Sequence, residues 1–257
     1  MQLRPSNPAL SDAVFDREAA RATPADTAMT LGGTVAKTAV LVLILAAVGG
    51  LSGWFTWGYL DRPVSERPWG LVVLLVLSMV AAVVLAMVTT ALPRIAAFTA
   101  PFYAVCEGWA VGGISTFFEK EYAGLVVLAV ALTVGVLAVL LAAYATRLIK
   151  PTENLKLGIV SATGGLAVVY GVSLLLGMFG VSVPFIHDNG LIGILFSLFA
   201  VTVAAFNLVL HFDFIENGVA RGAPKYMEWY AGFGLLVTLV WLYLEVLKLL
   251  SKLRSKD

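Results

Sequence analysis

Asp213 and Glu216 sit three residues apart in Leu210-His211-Phe212-Asp213-Phe214-Ile215-Glu216. On a helix that spacing puts both carboxylates on one face. Neighbouring carboxylates repel, so one holds its proton more tightly. The pair is suited to sensing pH, or to binding a hard cation such as calcium through its oxygens. The plainer alternative is the interfacial end of a helix, capped by Asn217-Gly218. Asn207 and His211 make a second polar pair at i,i+4. Glu107 is the most isolated acid, flanked by Tyr103, Val105, Cys106, Gly108 and Trp109. Ionised and unpaired in hydrocarbon it would cost at least ~2.5 kcal/mol, so it is protonated, paired or facing a wet cavity. Arg94 follows Pro93 and can serve a neighbouring carboxylate, or act as a snorkelling topology determinant. Glu245 has Lys248 at i+3, which a surface ion pair near a membrane exit explains. Thr238 lies seven residues earlier on the same stripe, so the two would line one face of any pore along this helix.

Other chemistries find little support. HExxH, GxSxG and P-loop motifs are all missing, and neither an enzyme nor a bound cofactor is expected. A single cysteine, Cys106, leaves no disulfide framework and no zinc spacing. A formal net charge of +1 gives no electrostatic case for nucleic acid. His187 and His211 fall near opposite faces of the membrane on the topology below, so a histidine-based active site is not expected.

The elements that carry these residues are apolar spans. The chain is 60% hydrophobic and 13% charged, with a mean hydropathy of +0.93. Soluble domains carry about 25% charged residues. A lipid bilayer is therefore the expected solvent for much of the surface. Crossing ~30 Å of hydrocarbon takes about 20 apolar residues. Seven stretches qualify: 36–57, 69–92, 95–117, 123–149, 156–179, 189–212 and 229–250. Short charged or proline-bearing connections separate them, around Arg62-Pro63 to Arg67-Pro68, Pro93-Arg94, Glu119-Lys120-Glu121, Lys150-Pro151 and Ala220–Lys225. The fold class is an all-α integral membrane protein with seven transmembrane helices. A polar cytoplasmic tail is expected over 1–33, a single seven-helix domain over 34–253 and a short basic tail over 254–257.

Basic residues set the orientation. With the N-terminus cytoplasmic, ten Lys and Arg fall on that side against three opposite, leaving aside the basic tail after the last span. That tail conflicts with seven full crossings, or else the last segment is re-entrant. Residues 1–31 are too charged for a signal peptide. They read as a flexible tail, with an interfacial helix over Leu10–Ala22 as the alternative. Trp54, Trp57, Tyr59, Trp69, Tyr226, Trp229 and Tyr230 stand where an aromatic belt belongs. Small residues such as Gly49-Gly50, Gly112-Gly113 and Gly164-Gly165 allow close helix approach.

Several segments together resemble the Bax inhibitor-1/YccA family, also called TMBIM, as a bacterial member. They are Ser6-Asn7-Pro8-Ala9-Leu10, Ala28-Met29-Thr30 through Lys37-Thr38, Tyr103-Ala104-Val105-Cys106-Glu107-Gly108 with Gly112-Gly113-Ile114-Ser115, Phe212-Asp213-Phe214-Ile215, and Gly222-Ala223-Pro224-Lys225-Tyr226-Met227-Glu228-Trp229-Tyr230. The resemblance covers essentially the whole chain. It implies a seven-helix bundle with a cytoplasmic N-terminus and a central last helix. Some members are pH-regulated calcium leaks, with sensor aspartates on the sixth and seventh helices and an arginine after the second. By position these correspond to Asp213 and, more loosely, Arg94. The seventh-helix aspartate is replaced. Distance from Asp213 places Thr238 there, whereas the local pattern Leu242-Tyr243-Leu244-Glu245 would select Glu245 at the cost of a longer connection. Glu216 or Glu107 could substitute for the missing acid.

The function expected is a pH-regulated cation leak, for calcium, in a bacterial inner membrane. Calcium or protons would be its ions, with Asp213 and Glu216 the candidate calcium ligands. The alternative is a non-transporting interaction protein that acts with a membrane protease or stress factor in quality control. A proton-coupled transporter is disfavoured, since no internal repeat is visible.

Overall fold

The computed structural model describes residues 28–66, 69–181 and 188–255. The N-terminal tail, with the alternative helix over Leu10–Ala22, lies outside the described residues except for its last few positions. So do Arg67-Pro68, His187 and Lys256. Among the described residues there are seven α-helices: α1 Leu31–Leu60, α2 Trp69–Ala91, α3 Ala96–Glu121, α4 Leu125–Ala145, α5 Glu153–Met178, α6 Leu191–Ala220 and α7 Met227–Arg254. The only extended pairing among them is an isolated antiparallel bridge between Ala28 and Pro224. The fold is all-α, as the apolar spans require.

Six of these helices are long and apolar enough to cross a membrane, α3 being the exception. At 26 residues α3 has the length. Its composition is diluted by Glu107, by the Glu119-Lys120-Glu121 end, and by the glycines and hydroxyl residues it buries. Serine and threonine hydroxyls within the helices are satisfied locally. Thr89, Ser115, Thr116, Thr133 and Thr163 each donate to the carbonyl four residues back.

Helices α1, α6 and α7 are each clearly longer than the apolar runs suggest. α6 continues through Asp213 and Glu216 to Ala220, a length of about 45 Å at 1.5 Å per residue. Asn217-Gly218 is therefore interior to the helix, in its last turn, where the Gly218 carbonyl accepts from Ala223 N–H at 3.0 Å. Termination falls to Gly222, which takes φ +64. That left-handed conformation is the usual end of a helix and suits glycine. α7 carries the basic residues Lys248 and Lys252 in regular helix out to Arg254. It is also the most buried of the six apolar helices, with 61% of its most apolar stretch inside against 11% for α1.

The described residues divide into two compact units. The first comprises residues 28–123 and 215–237. In it the backbones of α1 and α3 approach closely: a Cβ on Gly112 would lie 2.1 Å from the Gly49 carbonyl oxygen, and one on Gly108 2.6 Å from that of Leu45. Ser52 donates to the Trp109 carbonyl at 2.6 Å across the same seam. Leu41, Ala82, Ala100, Tyr103, Phe233 and Leu236 form the apolar core, with Tyr103 edge-on to Phe233 at 5.0 Å.

At the head of α1, Glu228 is wholly buried. Its carboxylate pairs with Lys37, and with Lys225 at 2.7 Å. It also accepts from the backbone N–H and the hydroxyl of Thr30, both at 2.9 Å. Thr30 is the N-cap of α1, its hydroxyl accepting from Gly33 N–H at 3.0 Å. The positive end of the helix thus faces an acid. Gly33 makes room, since a Cβ there would fall 2.1 Å from the Glu228 carboxylate. Met29 N–H donates to the Ala223 carbonyl at 2.7 Å and completes the clamp.

The second unit comprises residues 124–214 and 238–255 as described. It holds α4, α5, most of α6 and the C-terminal part of α7. Leu166, Ala200 and Val203 pack with Ala162, Tyr170, Phe196 and Trp241 in one cluster. Tyr144 packs against Phe212 with ring centroids 5.7 Å apart.

Candidate functional site: a buried polar stripe on the last helix

Within the second unit, Thr238, Trp241, Glu245, Lys248 and Lys252 recur at three- and four-residue intervals along α7. That period keeps them on one face. The run covers fifteen residues, fourteen steps of the helix and about 21 Å. Thr238, Glu245 and Lys252 are buried, at 3%, 2% and 7% exposure. A stripe of this kind inside an apolar helix is costly and marks a site by default.

Its partners come from α5 and α6. Thr238 shares a 2.7 Å hydrogen bond with His211 Nε2. His211 is buried, and its Nδ1 has no hydrogen-bond partner among the described residues. One turn back on α6, Asn207 donates to the Thr163 hydroxyl at 2.8 Å. The Asn207 and His211 side chains thus reach different helices. Glu245 accepts from the Tyr170 hydroxyl at 3.1 and 3.0 Å, from the Trp241 indole at 3.2 Å and from Lys248 at 2.7 Å. The expected Lys248 pair exists, but the carboxylate is buried and takes donors from two helices. It is not a surface ion pair. Lys252 Nζ ends the stripe by donating to the Gly193 carbonyl at 3.0 Å.

Asp213 pairs with Lys156 of α5 at 2.8 Å, and Lys156 also reaches Glu153 at 3.3 Å. The Asp213 side chain keeps 21% of its surface exposed. Lys156 was expected to open a span and to count towards orientation. Its role as a counter-ion comes from antiparallel packing of α5 on α6, which spacing along the chain does not reveal.

The other expected site residues lie in the first unit. Arg94 occupies a 3₁₀ turn, Pro93–Ile95. Glu216 is on α6, three residues after Asp213, where that helix belongs to the first unit. Glu107 is half-buried on α3 and has no hydrogen bond or ion pair among the described residues. No group of three or more His, Cys, Asp or Glu side chains able to hold a metal ion occurs among the described residues. Asp213 and Glu216 alone therefore fall short of a closed calcium site, which takes six to eight oxygens.

Tyr170, Trp241, Thr163 and Lys252 were not singled out from the sequence. Lys252 had a signal, being in register with Glu245 and Lys248. Tyr170 had none beyond being a lone phenol in a glycine-rich span.

An all-α bundle of long apolar helices, with ionisable side chains buried along its last helix, defines a multi-pass membrane protein. The family model described as Bax inhibitor 1 like matches residues 7–255, and the chain belongs to that family. No curated protein and no solved structure gives a significant match.

Proposed function

We propose that this protein is a pH-regulated cation leak, with calcium as permeant ion, in a bacterial inner membrane with its N-terminus cytoplasmic. The observation that carries the reading is the polar stripe of α7 with its α5 and α6 partners. Asp213 and Lys156 are the switch. While Asp213 is ionised it holds Lys156 and so ties α6 to α5. Protonation removes the negative charge, and the bond between the two helices weakens. Histidine and threonine supply the next polar step in place of a second acid, through His211 and Thr238.

Calcium flux into proteoliposomes across a pH series tests this. Wild type should show a pH-dependent flux. Asp213→Asn should hold the low-pH rate at every pH, because its side chain cannot ionise. No flux at any pH, or a wild-type profile in the variant, sinks the reading.

The non-transporting reading draws on the clamp at Thr30, which fixes where the segment ahead of α1 joins the bundle. It predicts that Asp213→Asn is harmless and that removing residues 1–30 abolishes co-purification of a partner.

A further inference from the structure

We propose that Lys252 is a built-in cation that closes the α7 stripe to permeant cations. The inference rests on the cation-leak reading. Lys252 is 7% exposed, and its ammonium donates to the Gly193 carbonyl at 3.0 Å. A backbone carbonyl oxygen is the ligand a dehydrating hard cation seeks. Here the protein's own cation already occupies it. Gly193 is held where it must be: a Cβ there would lie 1.9 Å from the Asp188 carbonyl oxygen and 3.5 Å from Lys252 Nζ.

Charged groups that act on Lys252 include Lys248, Glu245 and Asp188. Lys248 bonds to Glu245 at 2.7 Å, so the one acid of the stripe is already neutralised by an ammonium of the same helix. On α7 itself two ammoniums stand against one carboxylate, and Asp188 brings a second carboxylate from outside the helix. A divalent cation travelling along the stripe meets the buried Lys252 ammonium on the carbonyl it would need, and in a low-dielectric setting their mutual repulsion is strong. Lys252 therefore sets both the resting rate and the bias against divalent ions. Lys248, at 41% side-chain exposure, is screened and contributes less.

The test compares wild type, Lys252→Met and Lys252→Arg in proteoliposomes holding a calcium-sensitive dye and a trapped anionic fluorophore. Lys252→Met keeps an apolar stem and loses the charge. Its calcium flux should rise about tenfold, as a barrier lowered by ~1.4 kcal/mol gives. Lys252→Arg should stay at the wild-type rate, and the fluorophore should stay inside in every case. If wild type conducts and a folded Lys252→Met is no faster, the inference falls and the leak reading stands. Escape of the fluorophore with calcium means a damaged bundle and also overturns it. If neither wild type nor Lys252→Met conducts at any pH, the leak reading falls as well. Should Lys252→Met not fold, Lys252→Cys in a Cys106→Ala background replaces it. Modification with an aminoethyl thiol reagent restores an ammonium and should return the flux to the low rate. An unchanged rate after modification overturns the proposal.

Discussion

Glu228 and Glu245 are both buried acids of α7, seventeen residues apart, yet their surroundings differ in kind. Glu228 faces two lysines, an N-cap hydroxyl and the backbone N–H at the head of α1. Its charge is over-compensated, and two of its donors belong to the N-cap of α1. Glu245 faces one lysine, one phenol and one indole. Two of those three donors are neutral, and the one lysine, like Lys225 at the other acid, is partly solvated. The first arrangement is a staple. The second is a station in a row of polar groups. Burial of a carboxylate alone does not separate them; the charge and origin of its donors do.

Breaking the staple should have the largest effect on stability. Glu228→Ala leaves Lys37 and Lys225 facing each other with no acid between them. Removing one partner of a buried ion pair costs about 3–5 kcal/mol, and the low end applies because Lys225 is 45% exposed. Thermal unfolding in detergent should show the loss. The pH profile of any remaining flux should be unaltered, since no switch residue has been touched. A variant as stable as wild type would show that the clamp adds nothing.

Gly112→Ala should come next. The added methyl lands 2.1 Å from the Gly49 carbonyl, on backbone that no rotamer change can move aside. Overpacking of this kind costs about 1–3 kcal/mol. Gly164→Ala is the control, because a Cβ there meets nothing within 4 Å. Equal melting temperatures for the two variants would remove the close α1–α3 seam from the account of stability.

Much of this is legible in the sequence. Apolar run length gives the helices, because lipid leaves the backbone few other ways to satisfy its hydrogen bonds. The Asp213 region and the Thr238–Glu245 stripe follow from helical spacing. What was not legible has physical causes. Helix ends were misplaced at α6 because a charged turn looks like a boundary in hydropathy, while the backbone continues until Gly222 makes a left-handed turn. The counter-ion of Asp213 depends on which helix lies beside α6, and Lys156 is 57 positions away. The Gly112 seam was visible only as small residues; that its partner is Gly49 needed the packing. Glu228 was read only as part of a family-like segment, because its donors, Lys37 and Thr30, lie at the other end of the sequence.

Tyr170→Phe has the smallest expected effect on stability, and it separates the two carboxylate sites most sharply. The phenol shares one proton between both oxygens of Glu245, at 3.1 and 3.0 Å. Its ring also packs edge-on to Phe196 with centroids 5.9 Å apart, and phenylalanine preserves that contact. The loss is therefore one hydrogen bond of a carboxylate that Trp241 and Lys248 still hold, about 0.5–1.5 kcal/mol. A staple would respond in stability alone. A station in a cation path should also respond in rate, because Glu245 is then freer to leave Lys248 and meet a passing ion. Calcium flux in Tyr170→Phe should rise while the melting temperature falls slightly. A fall in melting temperature with no change in flux would make Glu245 a second staple, and the difference between the two acids would then be one of degree.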